Sequence, residues 1–399
     1  MATRLLVLCT EGTAAGKPLL GGRERVVPRC LGVLAFVHPS RTRPFGEQTG
    51  YIRSLLAMAQ QLELEAYAFG PDDVDRSGRR VRAYLPARSG WRRRWCPAPT
   101  LVYDRFFLHQ PWASVLRRYR QLKREARWVF LNPQLPNKWK VYCDLYGEPS
   151  VRPLLPPTRL YRGATRLLAG LKPGAEVVVK PAAGMKGAGL WFVRRSGDAV
   201  VVAAGEGVRR RMSEAAFRSW AAGRLGRRHI VQPALAFCDE RGRPFDIRVL
   251  LQREGEGGLL VTGLGVRVGR PGRRVANLHR GGRALTLSAA VGHLPGLRAS
   301  LERAGIAPAG ADDEAVAAAW RRHLETAALA IGTVLERCYG TFAELGLDFG
   351  YDRQRGRLYF IEANSRPGRA LLRLIGDGAA RSLAIRRPLL YARERLRWM

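Results

Sequence analysis

The sequence predicts a parallel α/β domain followed by a larger α+β region built from closely spaced strands. Three observations support this prediction. Strand-like and helical segments alternate in the first third of the chain, a proline-rich stretch covers residues 132–161, and short apolar runs then follow one another closely. The 399 residues are enough for two or three domains with a sizeable core.

In the first third, the apolar run LGVLAFV at 31–37 indicates a strand, and YIRSLLAMAQQLEL after it has helical spacing. EAYAFGP and TLVYDRF, the latter at 100–106, indicate two further strands. Strand–helix–strand alternation is typical of parallel strands joined by crossover helices. We therefore assign residues 1–131 to an N-terminal α/β domain with a parallel sheet.

After the proline-rich stretch the pattern changes to strands that are separated by short turns. We divide this part into residues 132–235 and 236–399, and we expect a basic C-terminal helix over 377–398 that is interrupted by Pro388. The other predicted elements are strands at 176–181, 189–194, 199–204, 229–233, 245–252 and 258–268, and helices at 212–222 and 312–339.

The composition indicates a soluble cytoplasmic protein. Hydrophobic residues make up 46% of the chain, and no apolar stretch approaches the ~20 residues that a bilayer span requires. The apolar run near the N-terminus is too short for the core of a signal peptide. The six cysteines are scattered without CxxC or Cys/His clusters, which argues against structural zinc and against a disulfide framework.

The net charge of +35 is compatible with a polyanionic partner, such as nucleic acid, an anionic membrane surface or an acidic polymer. However, the basic residues are almost all arginine, they are spread along the whole chain, and no RNA- or DNA-binding motif accompanies them. We favour a solvated basic surface and expect no specific nucleic-acid partner. A polyanion-binding role is the alternative.

The segment GRLYFIEANSRPGR, residues 356–369, ends an apolar strand with a carboxylate and an amide. Glu362 and Asn364 are two positions apart, and because side chains alternate along a strand they share one face. Packing in a core accounts for the apolar residues of this strand but not for the two polar side chains at its end.

A hairpin places a second carboxylate near the first. If residues 353–357 form its loop, Asp352 pairs with Leu358, and by the same register Asp348 lies opposite Glu362. Directly opposed carboxylates repel one another unless a cation lies between them, and oxygen ligands of this kind suit Mg²⁺. The alternative is an edge hairpin with solvated acids.

The segment EVVVKPAAGMKGAGLWFV joins two apolar strands through a glycine loop. Lys180 ends the first strand and could reach a phosphate as a point charge. A loop with Gly184, Gly187 and Gly189 would let backbone N–H groups approach phosphate oxygens closely. The loop is neither a Walker A motif, which opens a helix, nor a Rossmann fingerprint, and a flexible hairpin tip is the alternative.

Three further stretches carry candidate residues. The backbone of the strand at 229–235 could contact the edge of an adenine ring, although an ordinary core strand would look the same. Asp246 and Arg248 share a strand face beside an apolar run, which indicates a fixed Asp–Arg pair or an anionic ligand. VANLHRGGRA contains the candidate Asn277. It also contains His279, but we assign no role to that histidine.

The order of these features resembles the ATP-grasp superfamily, and more closely the YheC/YheD-type ATP-grasp proteins, which are described as endospore coat-associated. The N-terminal segments RPFGEQTGYIRSLLAMAQQLELEAYAFGPDDV and TLVYDRFF look like that family's leading domain. NKWKVYCDLYGEPSVRPLLPPTRLY looks like its entry into the nucleotide region. The resemblance covers roughly residues 30 to 375.

The resemblance implies an ATP-grasp architecture, with residues 132–235 as the central and lid subdomain and 236–399 as the subdomain with the metal site. It implies ATP and Mg²⁺ as cofactors. The residues that match are Lys138 and Lys180 for the phosphates, Gly184, Gly187 and Gly189 over the triphosphate, the backbone around Val231 and Gln232 for adenine, Asp246 and Asn277 for the nucleotide, Arg248 for the γ-phosphate or an acyl phosphate, and Asp348, Glu362 and Asn364 for Mg²⁺.

The reaction that the resemblance implies is ATP-dependent ligation of a carboxylate to an amine through an acyl phosphate, with Lys180 and Arg248 as catalytic residues. We add Arg366 and Arg369 as candidates for holding the substrate carboxylate. The two substrates are not identified by the sequence, and an acidic peptide or polymer is one option. The alternatives are a non-catalytic ATP-binding component of the spore coat and a polyanion-binding protein.

Overall fold

The structure is a computed structural model that describes residues 29–107, 112–184, 189–205, 207–276, 278 and 281–399. Within these ranges the main strands form three sheets, and each of the three predicted segments contains one of them. The boundaries 1–131, 132–235 and 236–399 stay a proposed division. No helix within these ranges combines the length and the apolar character that a membrane crossing requires.

The first sheet is mainly parallel. Its region contains β1 Leu31–Leu34, α1 Thr49–Gln61, β2 Ala66–Phe69, β3 Arg80–Ala87, β4 Gly90–Pro97, β5 Leu101–Asp104, α2 Ala113–Glu125 and β6 Val129–Phe130. The strand order is β4-β3-β2-β1-β5-β6, and β1 pairs in parallel with β2 and β5, which confirms the predicted parallel sheet. The antiparallel hairpin β3–β4 was not predicted and forms one edge.

The second sheet is antiparallel throughout. Its region contains α3 Lys138–Tyr146, β7 Arg159–Leu160, α4 Ala164–Ala169, β8 Glu176–Pro181, β9 Trp191–Ser196, β10 Ala199–Ala204, β11 Arg209–Ser213, α5 Glu214–Ala222 and β12 His229–Pro233. The strand order is β11-β10-β9-β8-β12-β7. Leucines of α4 and Phe217 of α5 pack on the sheet and form its core. The strands predicted at 176–181, 199–204 and 229–233 are confirmed.

The third sheet is antiparallel and packs one face on a long helix. Its region contains β13 Phe245–Arg253, β14 Leu259–Val268, β15 Arg283–Leu285, α6 Leu287–His293, α7 Leu297–Arg303, α8 Asp313–Tyr339, β16 Glu344–Asp352, β17 Arg357–Asn364, α9 Ala370–Leu374 and α10 Gly378–Arg397. The strand order is β15-β14-β13-β16-β17. Trp320 of α8 is wholly buried in this core, and side chains of α3 join it.

The hairpin β16–β17 has a shorter loop than the sequence analysis predicted. Asp352 pairs with Arg357, so the predicted pairing of Asp352 with Leu358 was wrong. A β-bulge nearer the end of β17 adds one residue and restores the offset. Asp348 therefore lies opposite Glu362, as predicted.

The C-terminal helix α10 runs through Pro388, so the predicted interruption there was wrong. A proline lacks the N–H that would bond to the carbonyl four residues earlier, which here belongs to Ala384. The buried side-chain amide of Gln252, from the third sheet, donates to Ala384 O at 3.1 Å and satisfies that carbonyl. Side chains of α10 also pack against α1, which ties the end of the chain to the first sheet.

Candidate functional site

A cleft lies between the second and third sheets, beside the start of α3. Its lining combines apolar side chains with a small number of polar groups, the arrangement that is usual for ligand sites. The apolar lining includes Val141, Ile230 and Phe360, and the polar lining includes Lys138, Lys180, Gln232 and Glu362. The structure thus brings together residues that were predicted separately for phosphate, adenine and metal.

The charged centre of the cleft is formed by Lys138, Lys180 and Glu362, which we call the cleft trio. Lys138 Nζ lies 3.0 Å from a carboxylate oxygen of Glu362 and donates to Gly184 O at 2.8 Å. Asn137 fixes the position of Lys138 by capping α3, since its side chain accepts two backbone N–H groups of the first turn at 3.1 Å. Two cations therefore face one carboxylate, which favours an anionic ligand.

Lys180 ends β8 and is only 9% exposed. Burial and, to a smaller extent, the positive charge of Lys138 lower the pKa of its ammonium, Glu362 opposes both effects, and the resulting pKa is about 8. Lys180 is therefore mainly charged at neutral pH but only weakly hydrated. A phosphate group in the cleft would restore the stabilisation that burial removes.

The amide of Gln232 is oriented by a chain of hydrogen bonds at the cleft wall. The Thr158 hydroxyl donates to Pro156 O at 2.7 Å, so it can only accept from the amide. Gln232 Nε2 accordingly donates to Thr158 Oγ1 at 2.7 Å. This orientation leaves Gln232 Oε1 as a hydrogen-bond acceptor on the other side of the amide.

The strand β12, predicted to contact an adenine ring, is paired with other strands over part of its length. β12 lies between β8 and β7, and Val231 is paired with Val179 on one side and Arg159 on the other. The backbone at Val231 is therefore covered on both edges. In the described part of the chain no strand pairs with the β7 side of β12 from Gln232 onward, and the adenine contact around Val231 and Gln232 stays a prediction.

The polar face of the third sheet carries a ladder of alternating charges that spans β14, β13 and β16. Arg248 lies opposite Asp348 and donates to it twice, with Nη2 2.9 Å from Oδ2. Arg267 Nη2 lies 3.0 Å from the same oxygen, and its Nε donates to Asp246. We call Asp246, Arg267, Asp348 and Arg248 the charge ladder. Asp246 and Arg248 each pair with a residue on a neighbouring strand, so the predicted pairing of the two with each other was wrong.

Arg267 was not predicted as a site residue, although it interrupts the apolar end of the predicted strand at 258–268. A buried arginine in such a run requires an acidic partner, and that requirement was the available signal.

The two aspartates of the charge ladder differ in their pKa values. Burial raises the pKa of Asp348, but Arg248 and Arg267 outweigh burial and lower it to about 2. Burial also raises the pKa of Asp246, and because Arg267 compensates only in part, the pKa reaches about 6. Asp348 is therefore held as a carboxylate across the neutral range, which a metal ligand requires.

The predicted metal ligands lie on one face of β16 and β17. Asp348 is opposite Glu362, and Asn364 Nδ2 donates to Glu362 Oε1 at 3.3 Å, which leaves the Asn364 amide oxygen as an acceptor. In the described part of the chain, no three His, Cys, Asp or Glu side chains form a metal cluster by themselves. Two carboxylates and one amide oxygen nevertheless suit Mg²⁺, which keeps several waters.

Arg366 and Arg369, our candidates for the substrate carboxylate, lie at the junction of the first and third sheets. Arg366 Nη2 is 2.6 Å from Asp104 Oδ2. Arg369 pairs with the wholly buried Glu344, whose other oxygen is 2.8 Å from Arg105 Nη1. We call these five residues the junction network. Both candidate arginines therefore have protein carboxylates as partners in this structure.

Of the predicted glycine loop, Gly184 and Gly189 are described. Gly184 lies beside Lys138, and Gly189 has φ +73°, a conformation that favours glycine. Gly187 and Asn277 lie outside the described residues, as does His279.

Comparison with known proteins relates this chain to one family. A family model described as YheC/D-like ATP-grasp matches residues 127–394. The chain is 25% identical over 366 residues to the endospore coat-associated protein YheD of Bacillus subtilis (strain 168), covering 88% of this chain and 75% of that protein. It is also 25% identical over 332 residues to the endospore coat-associated protein YheC of the same organism, covering 81% and 86%. A crystal structure of D-alanyl-alanine synthetase A from Vibrio cholerae O1 biovar eltor aligns with a TM-score of 0.48 and 11% identity, covering 91% of this chain and 99% of that one.

Proposed function

The chain belongs to the YheC/D-like ATP-grasp family, and from that premise we propose that it is an ATP-dependent carboxylate–amine ligase. The observation that carries the proposal is the cleft trio beside the oxygen donors of β16 and β17. Two lysines, a carboxylate pair and an amide oxygen around one cleft suit a nucleotide triphosphate with its metal ion. Because the curated relatives are named as endospore coat-associated, we extend the proposal to an association with the spore coat.

Lys138 and Lys180 hold the phosphates in this proposal, with the backbone at Gly184 folded over them. Asp348, Glu362 and Asn364 would supply the oxygens for Mg²⁺, and a bound Mg²⁺ would neutralise part of the phosphate charge. The donor set fits that ion because all of its members are oxygens and two are charged.

The uncovered edge at the end of β12 receives the adenine ring. Gln232 Oε1 is an acceptor because Thr158 fixes the amide, so it would accept a hydrogen bond from the exocyclic amine of adenine. Guanine carries an oxygen at the corresponding position, which would repel Oε1. The proposal therefore includes a preference for ATP over GTP.

Nucleotide binding requires two cations to exchange partners. Lys138 now contacts Glu362, and Arg248 now contacts Asp348. On binding, both side chains move from these carboxylates to phosphate oxygens, and the carboxylates become free to act as ligands. Arg267 stays on Asp348 and keeps it oriented. Every charge retains an opposite neighbour, so the exchange leaves no buried charge unpaired.

The reaction then proceeds in two displacements. A carboxylate oxygen of the substrate attacks the γ-phosphorus, and the bond between that phosphorus and the oxygen of the β-phosphate breaks. This displacement forms an acyl phosphate and releases ADP. The nitrogen of an amine attacks the carbonyl carbon, phosphate departs, and the nitrogen loses a proton as the amide forms. Arg248 and Lys180 stabilise the charge on the transferring phosphoryl group, and the chain contributes mainly positioning.

The substrate carboxylate would approach from the junction side. We keep Arg366 and Arg369 as candidates for holding it, and to do so they would have to give up contacts with Asp104 and Glu344. An acidic peptide is the substrate class that we would test first.

The nucleotide site is tested by calorimetry of ATP binding with and without Mg²⁺, for the wild type, Glu362→Gln and Asp348→Asn. We expect saturable binding that depends on Mg²⁺ and is weakened by roughly a hundredfold in both variants. Tripolyphosphate is the control for attraction by charge alone. If ATP and tripolyphosphate bind alike with or without metal, the site assignment is wrong. A screen for ADP release with amino acids and acidic peptides then tests the ligase activity.

A non-catalytic role is the second candidate, because the names of the curated relatives record a location and no reaction. In that case the protein binds ATP as a component of the spore coat. Saturable, Mg²⁺-dependent ATP binding without ADP release for any carboxylate and amine pair would favour this role over ligation.

A further inference from the structure

The hairpin β3–β4 is the most basic part of the first sheet. Residues 76–97 contain eight arginines and no acidic residue. β4 forms the outer edge of the sheet, and within the described ranges no strand lies beyond it. The hairpin therefore presents the outer edge of a sheet and a concentration of positive charge at the same place.

The arginines of β4 project from both faces of the strand. Arg92 and Arg94 share one face, both are exposed, and neither forms an ion pair with a described residue. Arg93 lies on the other face, where it pairs with Asp73 and stacks 4.5 Å above the Tyr84 ring.

Further cationic and aromatic groups extend the face of Arg93. Trp95 is 49% exposed, Arg82 lies directly opposite it on β3, and the guanidinium of Arg80 stacks 5.4 Å from the centre of its ring. A large apolar ring that remains half in water beside unpaired arginines is a typical element of an interaction surface.

A simpler function of charged edge strands is to prevent aggregation. The strand β11, at the outer edge of the second sheet, carries three consecutive arginines and fits that function. β4 differs from β11 in three respects. It has eight residues instead of five, its hairpin partner adds two arginines, and it includes the exposed Trp95.

We propose that the outer edge of β4 docks an extended acidic segment of a partner polypeptide, which adds to the first sheet as a strand. Three consecutive arginines on a strand point alternately to its two faces, so a ligand that contacts all of them must straddle the edge. A polypeptide strand does this, because its own side chains alternate in the same way and its backbone pairs with β4. A run of Glu or Asp then meets arginines on both faces.

A single-stranded nucleic acid matches this surface less well. It offers phosphates and bases but no row of amide groups that could pair with a strand edge. The proposal is independent of the ATP site, since docking at β4 requires no reaction and would serve a catalytic or a non-catalytic protein equally.

The test measures binding of a dye-labelled oligo-glutamate peptide to the full chain by fluorescence anisotropy at moderate salt. The variant Arg92→Gln/Arg94→Gln removes two exposed charges from β4. The matched control, Arg209→Gln/Arg210→Gln, removes two exposed charges from β11. We expect the first variant to weaken binding about fivefold, from two exposed charge contacts, and the control to leave binding unchanged. Equal weakening in both variants would show attraction by net charge only and would overturn the proposal.

Two further ligands separate strand addition from charge attraction. An oligo-glutamate peptide with alternate N-methylated residues keeps its charge but loses N–H donors for pairing, and we expect it to bind the wild type at least fivefold more weakly. Equal binding of this peptide would refute strand addition. A single-stranded DNA with the same number of charges should bind β4 more weakly than the peptide; tighter binding that is lost in the β4 variant would assign the edge to nucleic acid instead.

Discussion

The cleft and the junction network each take a carboxylate from the hairpin β16–β17, Glu362 and Glu344, but they hold their charges in different ways. In the cleft, two lysines face Glu362, whose side chain is 22% exposed. In the junction, Arg105 and Arg369 enclose Glu344, whose side chain is 0% exposed. Lysine is a point charge on a flexible stem, whereas the planar guanidinium of arginine fixes the direction of its hydrogen bonds. The difference indicates that the wholly buried Arg105–Glu344 pair connects two sheets, and that the cleft is arranged to exchange partners.

Among the substitutions that test this comparison, we expect the largest effect, a loss of folding stability, from replacing Glu344. Glu344→Gln leaves the buried guanidinium groups of Arg105 and Arg369 without a counter-charge, and three of their N–H groups already lack a partner among the described residues. We expect the free energy of unfolding to fall by about 3–5 kcal/mol, measured by urea denaturation. A loss below about 1 kcal/mol would show that the junction network is not a structural connection.

The matched substitution in the cleft should change ATP affinity strongly and folding stability only slightly. Glu362→Gln removes a partly exposed carboxylate that contacts a partly exposed lysine, so we expect the free energy of unfolding to change by less than about 1 kcal/mol. Mg²⁺-dependent ATP binding should fall by roughly a hundredfold, because one of two charged metal ligands is lost. Calorimetry measures the affinity and denaturation measures the stability of the same samples. A large loss of stability with intact ATP binding would reverse the assigned roles of cleft and junction.

The pH dependence of ATP binding tests the role of Lys180, whose pKa burial lowers to about 8. As the pH rises through this value, Lys180 loses its proton and the triphosphate loses a cation. We expect the affinity for ATP to fall roughly tenfold between about pH 7 and about pH 9, and Lys180→Arg to flatten that dependence. An unchanged pH profile in the variant would remove Lys180 from the phosphate site.

The stability of the ligand-free protein should respond to pH in the opposite direction. In the unfolded chain Lys180 has its ordinary pKa of 10.5, so between about pH 8 and pH 10.5 the unfolded state binds more protons than the folded state. The contribution of Lys180 to the free energy of unfolding therefore rises with pH in that window. Comparison with Lys180→Met by urea denaturation isolates this contribution, and equal slopes for both proteins would contradict the lowered pKa.

The smallest effect is expected at the adenine edge. Gln232→Ala removes the acceptor that would distinguish adenine from guanine, so the preference for ATP over GTP should fall about three- to tenfold. Thr158→Val keeps Gln232 but releases its amide, and it should lower the preference in the same direction by less. Competition titrations with both nucleotides measure the ratio. An unchanged ratio in both variants would assign base recognition to the backbone alone.

The two regions also differed in how far the sequence could predict them. The opposition of Asp348 and Glu362 was predicted because strand alternation and a hairpin are local properties. The predicted loop was one residue too long, but the bulge at Ile361 compensates for that error. The junction network was not predictable in this way, since Arg105 and Glu344 are 239 positions apart and no local pattern marks their contact.

Helix α10 shows the same limit. Local propensity predicts a break at Pro388, and only the contact of Gln252 with Ala384, 132 positions away along the chain, explains why the helix continues.

The most direct test of the difference between cleft and junction is hydrogen exchange of the full chain with and without ATP and Mg²⁺. We expect the nucleotide to slow exchange in peptides that contain the start of α3, the ends of β8 and β12, and residues 360–364 of β17. Peptides that contain residues 101–107, on the first-sheet side of the junction, should exchange at an unchanged rate. Protection that is confined to the junction, or that is spread evenly over the arginine-rich surface, would contradict the account.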